Sequence, residues 1–294
     1  MNYDCIIVGG GPAGMAAAIY LRRGSKKVLL IERGLFGGQM LNTTEIENYP
    51  GYKSIMGGDL ALSMSEQVEA LETEVEYSEV VSVDLSGEEK IITTTNNEHR
   101  AKYVIFALGA NPSKLNIQNE KEFSGRGVSY CATCDGAFYK DKTVAVVGGG
   151  NTALLDATYL SNIAKKVYII HRRNEFRATD ILVKRAKAIS NIELLTPRCI
   201  QEINGDNKLR EITLDNGSKI EVDGLFIAVG VRPNTELLKD KVELDEKGFV
   251  VVNNHKETNI ENVYAIGDCT NTNLRQVITA CSDGAIAAES ILAR

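Results

Sequence analysis

Cys5-Ile6-Ile7-Val8-Gly9-Gly10-Gly11-Pro12-Ala13-Gly14 sets four apolar residues against a glycine-rich turn. A wholly apolar run this short reads as a buried strand of a parallel sheet. An Ala-rich helical stretch follows at residues 15–23, then a second apolar run at 28–31, closed by Glu32. Strand, GxGxxG, helix, strand and acid, in that order, describe a dinucleotide-binding βαβ unit. Gly9 allows the tight turn, Gly11 lets the backbone approach a pyrophosphate, and Gly14 lets helix and strand pack closely. Pro12 and Ala13 lie in the same loop, where the helix N-terminus holds the phosphates. Glu32 stands where a carboxylate can bind both hydroxyls of an adenosine ribose.

The unit recurs 139 residues later without a gap. Residues 144–147 are the strand, Gly148-Gly149-Gly150-Asn151-Thr152-Ala153 the loop and 167–170 the second strand. At that offset Gly9/Gly148, Tyr20/Tyr159, Leu21/Leu160, Lys26/Lys165, Lys27/Lys166 and Val28/Val167 are identical. Such an internal repeat predicts two nucleotide-binding domains of similar build. The informative position is the one that differs. Where the first copy has Glu32, the second has His171, followed by Arg172, Arg173 and Arg177. An acid repels a 2′-phosphate, whereas guanidinium groups bind one through charge-assisted hydrogen bonds. The first site is therefore expected to take a nucleotide with a free ribose, such as FAD, and the second NADPH in preference to NADH.

Between the copies, runs at 76–83, 90–94 and 103–108 read as a small meander, and 192–195, 209–214 and 225–229 as a matching set after the second. Further strands are expected at 250–252 and 263–266, with a last helix from Gln276 to Leu292 that completes the first domain. The expected fold is α/β: two Rossmann-like nucleotide-binding domains, each with a three-stranded β-meander addition. The boundaries fall in loops 110–116 and 239–247, which gives 1–113 with 245–294 as a discontinuous FAD-binding domain and 114–244 as the NADPH-binding domain.

That second domain carries Cys131-Ala132-Thr133-Cys134-Asp135. A CxxC pair can be a redox disulfide, half of a structural zinc site or an inert surface pair. Zinc takes four ligands, usually from paired motifs, and the sequence has no second CxxC, so no metal is expected. Beside two nucleotide fingerprints the pair reads as the destination of electrons. A net charge of −6 argues against nucleic acid as the main partner. The N-terminus has no basic n-region with a long apolar stretch, and no apolar run approaches the ~20 residues of a membrane helix, so a cytoplasmic protein is expected. In a reducing compartment a close cysteine pair is a catalyst rather than a staple. Cys269 and Cys281 read as small buried residues.

The chain closely resembles the low-molecular-weight, two-domain thioredoxin reductases. The likeness rests on Gly37-Gly38-Gln39, residues 43–51 (Thr-Thr-Glu-Ile-Glu-Asn-Tyr-Pro-Gly), Gly125-Arg126-Gly127-Val128-Ser129, residues 131–136, the HRRxxxR stretch, and Gly267-Asp268 with Arg275-Gln276-Val277. It implies a flavoenzyme moving electrons from NADPH through FAD to the CxxC disulfide and on to thioredoxin or a thioredoxin-like protein. Cys134 would face the flavin, Cys131 would attack the partner's disulfide, and Asp135 would give or take the proton. Asp268 would bind the ribityl or phosphate part of FAD, with Gln39, Asn48 and Gln276 near the isoalloxazine. Gly38, Arg275 and Val277 complete the FAD set, and Gly230 the NADPH set. A homodimer is also implied.

The disulfide and the nicotinamide share a domain yet must both meet one flavin, so a rotation between domains on the boundary loops is expected. Two readings from the same fold are a reductase fed by ferredoxin and a dithiol oxidase using oxygen. Three positions depart from the family pattern: Leu155 in place of an acid, Leu108 in place of the common Thr, and Ala137 where some members carry an aromatic.

Overall fold

The computed structural model describes residues 2–43 and 45–294; Met1, and Thr44 from the 43–51 stretch, lie outside it. The fold is α/β and divides into two compact units, residues up to Asn111 with Arg232–Arg294, and Pro112–Val231.

In the first unit strands Glu74–Tyr77, Val28–Glu32, Asn2–Val8 and Glu98–Phe106 lie side by side in parallel, and Val263–Ala265 also pairs with Glu98–Phe106. Ile7 and Leu30 point into one apolar cluster, and Ile6, Leu29 and Ile31 into another on the opposite face. Both faces are covered, which is why these strands are apolar throughout rather than alternating. Helices Pro12–Arg23, Gly57–Ala70 and Val277–Leu292 cover one face. The approach of the first and last of these is close because both are lined with small residues. A Cβ on Gly284 would collide with the Ala13 carbonyl and stand 2.8 Å from the Ala17 nitrogen.

The additions differ from the expected ones. The 76–83 run is split: Glu74–Tyr77 is the parallel edge strand, and Val80–Asp84 starts the antiparallel meander. Ser78 breaks them apart, its N–H on the Glu32 carbonyl and its hydroxyl 2.7 Å from that of Thr95. Glu98–Phe106 serves both arrangements. Residues 98–101 pair antiparallel with Lys90–Thr94, and its later residues are central in the parallel sheet. The 250–252 run forms isolated bridges from Val250 to Leu244 and Thr270 instead of a strand.

In the second unit Val128–Ser129, Gly224–Ile227, Thr143–Val147, Lys166–Ile170 and Ile192–Leu195 form a parallel sheet in that order. Two runs assigned to its meander, 192–195 and 225–229, thus belong to the parallel sheet. The meander is Ile200–Gly205, Leu209–Leu214 and Lys219–Glu221. Its outer strands carry polar residues on an exposed face, which hides their periodicity.

The chain crosses between units at 111/112 and 231/232. The second crossing lies upstream of loop 239–247, because Leu238 and Val242 are buried in the same cluster as Val83 and Val263. Among the described residues no helix is long and apolar enough to cross a membrane.

Candidate redox active site

The first loop has the shape its glycines require. Gly9 has φ 111°, and a Cβ there would collide with the Ala107 carbonyl. A Cβ on Gly14 would collide with the Gly9 carbonyl, whereas one on Gly11 would meet nothing within 4 Å. Gly11 is thus the open face of the loop, with the N-terminus of helix Pro12–Arg23 behind it. Glu32 is bound by two backbone donors: Gly10 N–H to Oε2 at 2.7 Å and Gly34 N–H to Oε1 at 2.8 Å. The pair holds the carboxylate beside the loop, as a ribose contact needs.

Around this loop the fold gathers residues far apart in sequence. Gly37 and Gly38 are both left-handed, at φ 120° and 55°, and begin the turn Gly38–Asn42. A Cβ on Gly38 would stand 3.4 Å from the Gly11 Cα. Asn48 Nδ2 donates to Gln276 Oε1 at 3.0 Å across 228 residues. Gln276 caps helix Val277–Leu292 through a reciprocal box with Thr279. Gln39 Nε2 donates to Asn111 Oδ1 at 2.8 Å, and Asn111 Nδ2 to Asn234 Oδ1 at 2.8 Å.

Gly267, at φ 69°, packs directly on Ala13, since a Cβ on it would be 3.0 Å from that of Ala13, and Asp268 follows it. Burial pushes the Asp268 carboxyl up, and Arg275 opposes the shift. The Arg275 guanidinium lies 4.2 Å over the Phe249 ring and bonds the Asp268 carbonyl through Nε at 3.3 Å. Cys269 is buried at the end of the turn Gly267–Cys269, and Cys281 stands 3.8 Å from the Pro12 carbonyl with its thiol pushed up by burial. Neither thiol has the depressed pKa of a nucleophile.

The second loop repeats the first with exchanges. Gly148 has φ 154°, and a Cβ there would collide with the Ala228 carbonyl, while Gly150 faces open space. The Asn151 side-chain Oδ1 accepts from Thr179 N–H at 2.9 Å, and the Gly149 backbone carbonyl from Arg177 N–H at 2.7 Å. Thr152 and Ala153 continue into helix Asn151–Ser161. The segment after strand Lys166–Ile170 is therefore hung from the phosphate loop, with Arg172, Arg173 and Arg177 exposed. His171 is different. It is buried, a Cβ on Gly149 would run into its ring, Phe176 stacks on it at 5.1 Å, and its Nε2 is 3.1 Å from the Glu175 carbonyl. Burial lowers its pKa, which keeps the ring neutral. His171 shapes the loop from within; the outward charge is that of the three arginines. Gly230, at φ 124°, accepts Ser113 N–H through its carbonyl at 2.9 Å.

In the same unit Cys131 and Cys134 are joined as a disulfide, with Cα atoms 5.3 Å apart. Cys131 begins the one-turn helix Ala132–Asp135, and its Sγ accepts the Cys134 N–H at 3.2 Å. Burial raises the pKa of Asp135, against a lowering hydrogen bond from Ser129 Oγ at 2.6 Å. A carboxyl whose proton is held more tightly by burial, next to a disulfide, can protonate a leaving sulfur. The sequence places Ser129 in the 125–129 stretch without giving it a role, although it lies two residues before Cys131. Near the disulfide, Phe138 and Leu155 are exposed apolar side chains. Among the described residues no group of three or more His, Cys, Asp or Glu is placed to hold a metal ion.

Comparison with known proteins places this geometry. Residues 3–284 match the family model described as pyridine nucleotide-disulphide oxidoreductase. A thioredoxin reductase of Bacillus subtilis (strain 168) is 41% identical over 98% of the chain and 93% of the relative. A crystal structure of thioredoxin reductase from Streptococcus pyogenes MGAS5005 is 40% identical and superposes with TM-score 0.94 over 99% of this chain and 97% of that one. A thioredoxin reductase from Giardia duodenalis is 36% identical, with TM-score 0.93 over 100% and 99%.

Proposed function

The chain belongs to the pyridine nucleotide-disulphide oxidoreductase family, among its thioredoxin reductases, and from that premise we propose which of its residues do what. It is an NADPH-dependent flavoprotein that passes electrons through FAD to the Cys131–Cys134 disulfide and on to thioredoxin. The readings in which ferredoxin supplies the electrons or oxygen receives them are not favoured by these relatives.

FAD is held by loop 9–14, Glu32, Gly38, Gln39, Asn48, Asp268, Arg275, Gln276 and Val277. The open backbone at Gly11 and the carboxylate fixed at Glu32 support that fit. NADPH is held by loop 148–153 and Gly230, with Arg172, Arg173 and Arg177 on the 2′-phosphate and His171 bracing the loop. When bound, the flavin supplies a two-electron carrier between nicotinamide and sulfur. The chain's own part is orientation and proton management. Cys134 takes the electrons, Cys131 as a thiolate attacks the disulfide of thioredoxin, and Asp135 protonates the sulfur that leaves.

One observation carries this assignment: the disulfide, with the buried Asp135 carboxyl beside it, lies in the same compact unit as the NADPH loop. Both must reach one flavin in turn, so that unit rotates on its two chain crossings between half-reactions. The protein acts in the cytoplasm and as a homodimer; exposed Tyr20, Ile278 and Ile286 on helices Pro12–Arg23 and Val277–Leu292 give a second copy apolar surface to cover. Anaerobic titration tests the whole. NADPH should bleach the flavin at concentrations where NADH does not, and added oxidised thioredoxin should restore the colour. Cys134→Ser should keep the first step and lose the second. Loss of both would overturn the assigned order.

A further inference from the structure

Ser129 closes strand Val128–Ser129 and is 5% exposed. Its Oγ has three neighbours at hydrogen-bond distance: Asp135 Oδ2 at 2.6 Å, Cys131 N at 3.1 Å and Cys131 O at 3.3 Å. The Cys131 N–H can only donate, so Oγ accepts there whatever else it does. That leaves one hydroxyl proton for two acceptors. While Asp135 is a carboxylate, the charge-assisted bond to Oδ2 is the stronger choice. Once Asp135 holds a proton, the acid can donate to Oγ, and the serine proton turns to the Cys131 carbonyl.

We propose that Ser129 is a positioning residue of disulfide reduction, holding the Asp135 carboxyl on the Cys131 peptide and reversing its own hydrogen bond as that carboxyl gains or loses its proton. The inference rests on the redox role assigned above to Cys131 and Cys134. In that reading NADPH gives up a hydride, whose two electrons break the S–S bond and leave two sulfur anions while its proton passes to solvent. Asp135 gives its proton to one, which becomes a thiol, and is left as a carboxylate. The other stays a thiolate, ready to attack. At that moment the serine proton swings from the Cys131 carbonyl back to Oδ2, so the step needs no water to settle the new charge.

Other titratable groups on the neighbouring elements are few. The turn Gly136–Tyr139 brings Tyr139, whose hydroxyl burial pushes up to about 12 and which is neutral throughout. Asp223 acts on that same hydroxyl. Helix Asn151–Ser161 brings Tyr159 and Asp156, the latter pushed up by burial to about 6. Asp156→Asn therefore serves as a control.

The test is an infrared pH titration of the carboxylic-acid carbonyl band in the oxidised, FAD-loaded protein, assigned by its loss in Asp135→Asn. Alongside it runs the pH profile of NADPH-driven thioredoxin reduction. Ser129→Ala should move the Asp135 titration up by about one pH unit, because a bond favouring the carboxylate is gone. The alkaline limb of kcat should move with it. Ser129→Cys, a weaker donor of similar shape, should fall between, and Asp156→Asn should leave the shift intact. A purely structural serine would instead lower the rate equally at every pH with the Asp135 titration unmoved, and that result would overturn the proposal. If the unaltered protein failed to carry electrons from NADPH to thioredoxin, the proposed function would fall. The infrared titration needs no turnover and would still judge Ser129.

Discussion

Loops 9–14 and 148–153 share one backbone plan and differ at the points where each meets its surroundings. Position 14 must be glycine because a Cβ would strike the Gly9 carbonyl, yet its counterpart at the 139-residue offset is Ala153, fully buried. Ala17 on the first helix is buried against Gly284 of the last helix. Its counterpart on the second helix is Asp156, and among the described residues that carboxylate has no hydrogen bond. Glu32 gathers two N–H donors, and in its place stands His171, a neutral ring packed under Gly149. The comparison teaches that the repeated βαβ unit fixes only the phosphate turn. What the helix leans on, and what closes the second strand, is set separately in each copy.

The sharpest way to break the comparison is to impose one copy's choice on the other. Gly14→Ala, copying Ala153, should cost on the order of 3 kcal/mol or more through backbone overlap. It should be read as loss of bound FAD by absorbance and a lowered Tm. Retention of both would mean the first loop can open as the second does. Reversing charge at Arg172 or Arg177, in imitation of Glu32, should raise the KM for NADPH roughly ten- to a hundredfold and leave that for NADH nearly unchanged, since each charge-assisted contact contributes about 1.5–3 kcal/mol. Equal effects on both coenzymes would assign these arginines elsewhere.

Asp156 offers a pH test. Its carboxyl is pushed up to about 6 by burial, so the folded state holds a proton that the unfolded chain releases near 4. Stability from this group is full below about pH 4, declines as pH rises through 6, and is lowest above that. Asp156→Asn should therefore stabilise the protein by about 1–3 kcal/mol at pH 8 and leave it nearly unchanged at pH 4. Thermal melts at the two pH values decide. The smallest effect is expected from Ala153→Gly, at most about 1 kcal/mol of lost stability with NADPH binding retained.

The parts legible in the sequence were those with local causes. Positive-φ glycines, apolar runs and the Gln276 start of the last helix all act within a few residues. Strand Ile200–Gly205 and the first half of Glu98–Phe106 were missed because each turns a polar face to solvent. The splitting at Ser78 and the pairing of Asn48 with Gln276 depend on partners brought close only by the finished fold. The burial of His171 was not legible, because a ring tucked under glycine and a ring on a ribose read alike in sequence. Ser129 was hidden for the same reason. Its meaning comes from Asp135, six residues on, and from a burial that one hydroxyl does not announce.

The order of synthesis follows from where the chain crosses between units. Pro112–Val231 is one contiguous stretch, whereas the first unit lacks strand Val263–Ala265 and helix Val277–Leu292 until the whole of the second unit has been made. Through that interval the small-residue face of helix Pro12–Arg23 has nothing to lie on. The middle of the chain can thus fold before the unit that encloses it in sequence, which is complete only when Gly284 arrives to cover Ala13 and Ala17.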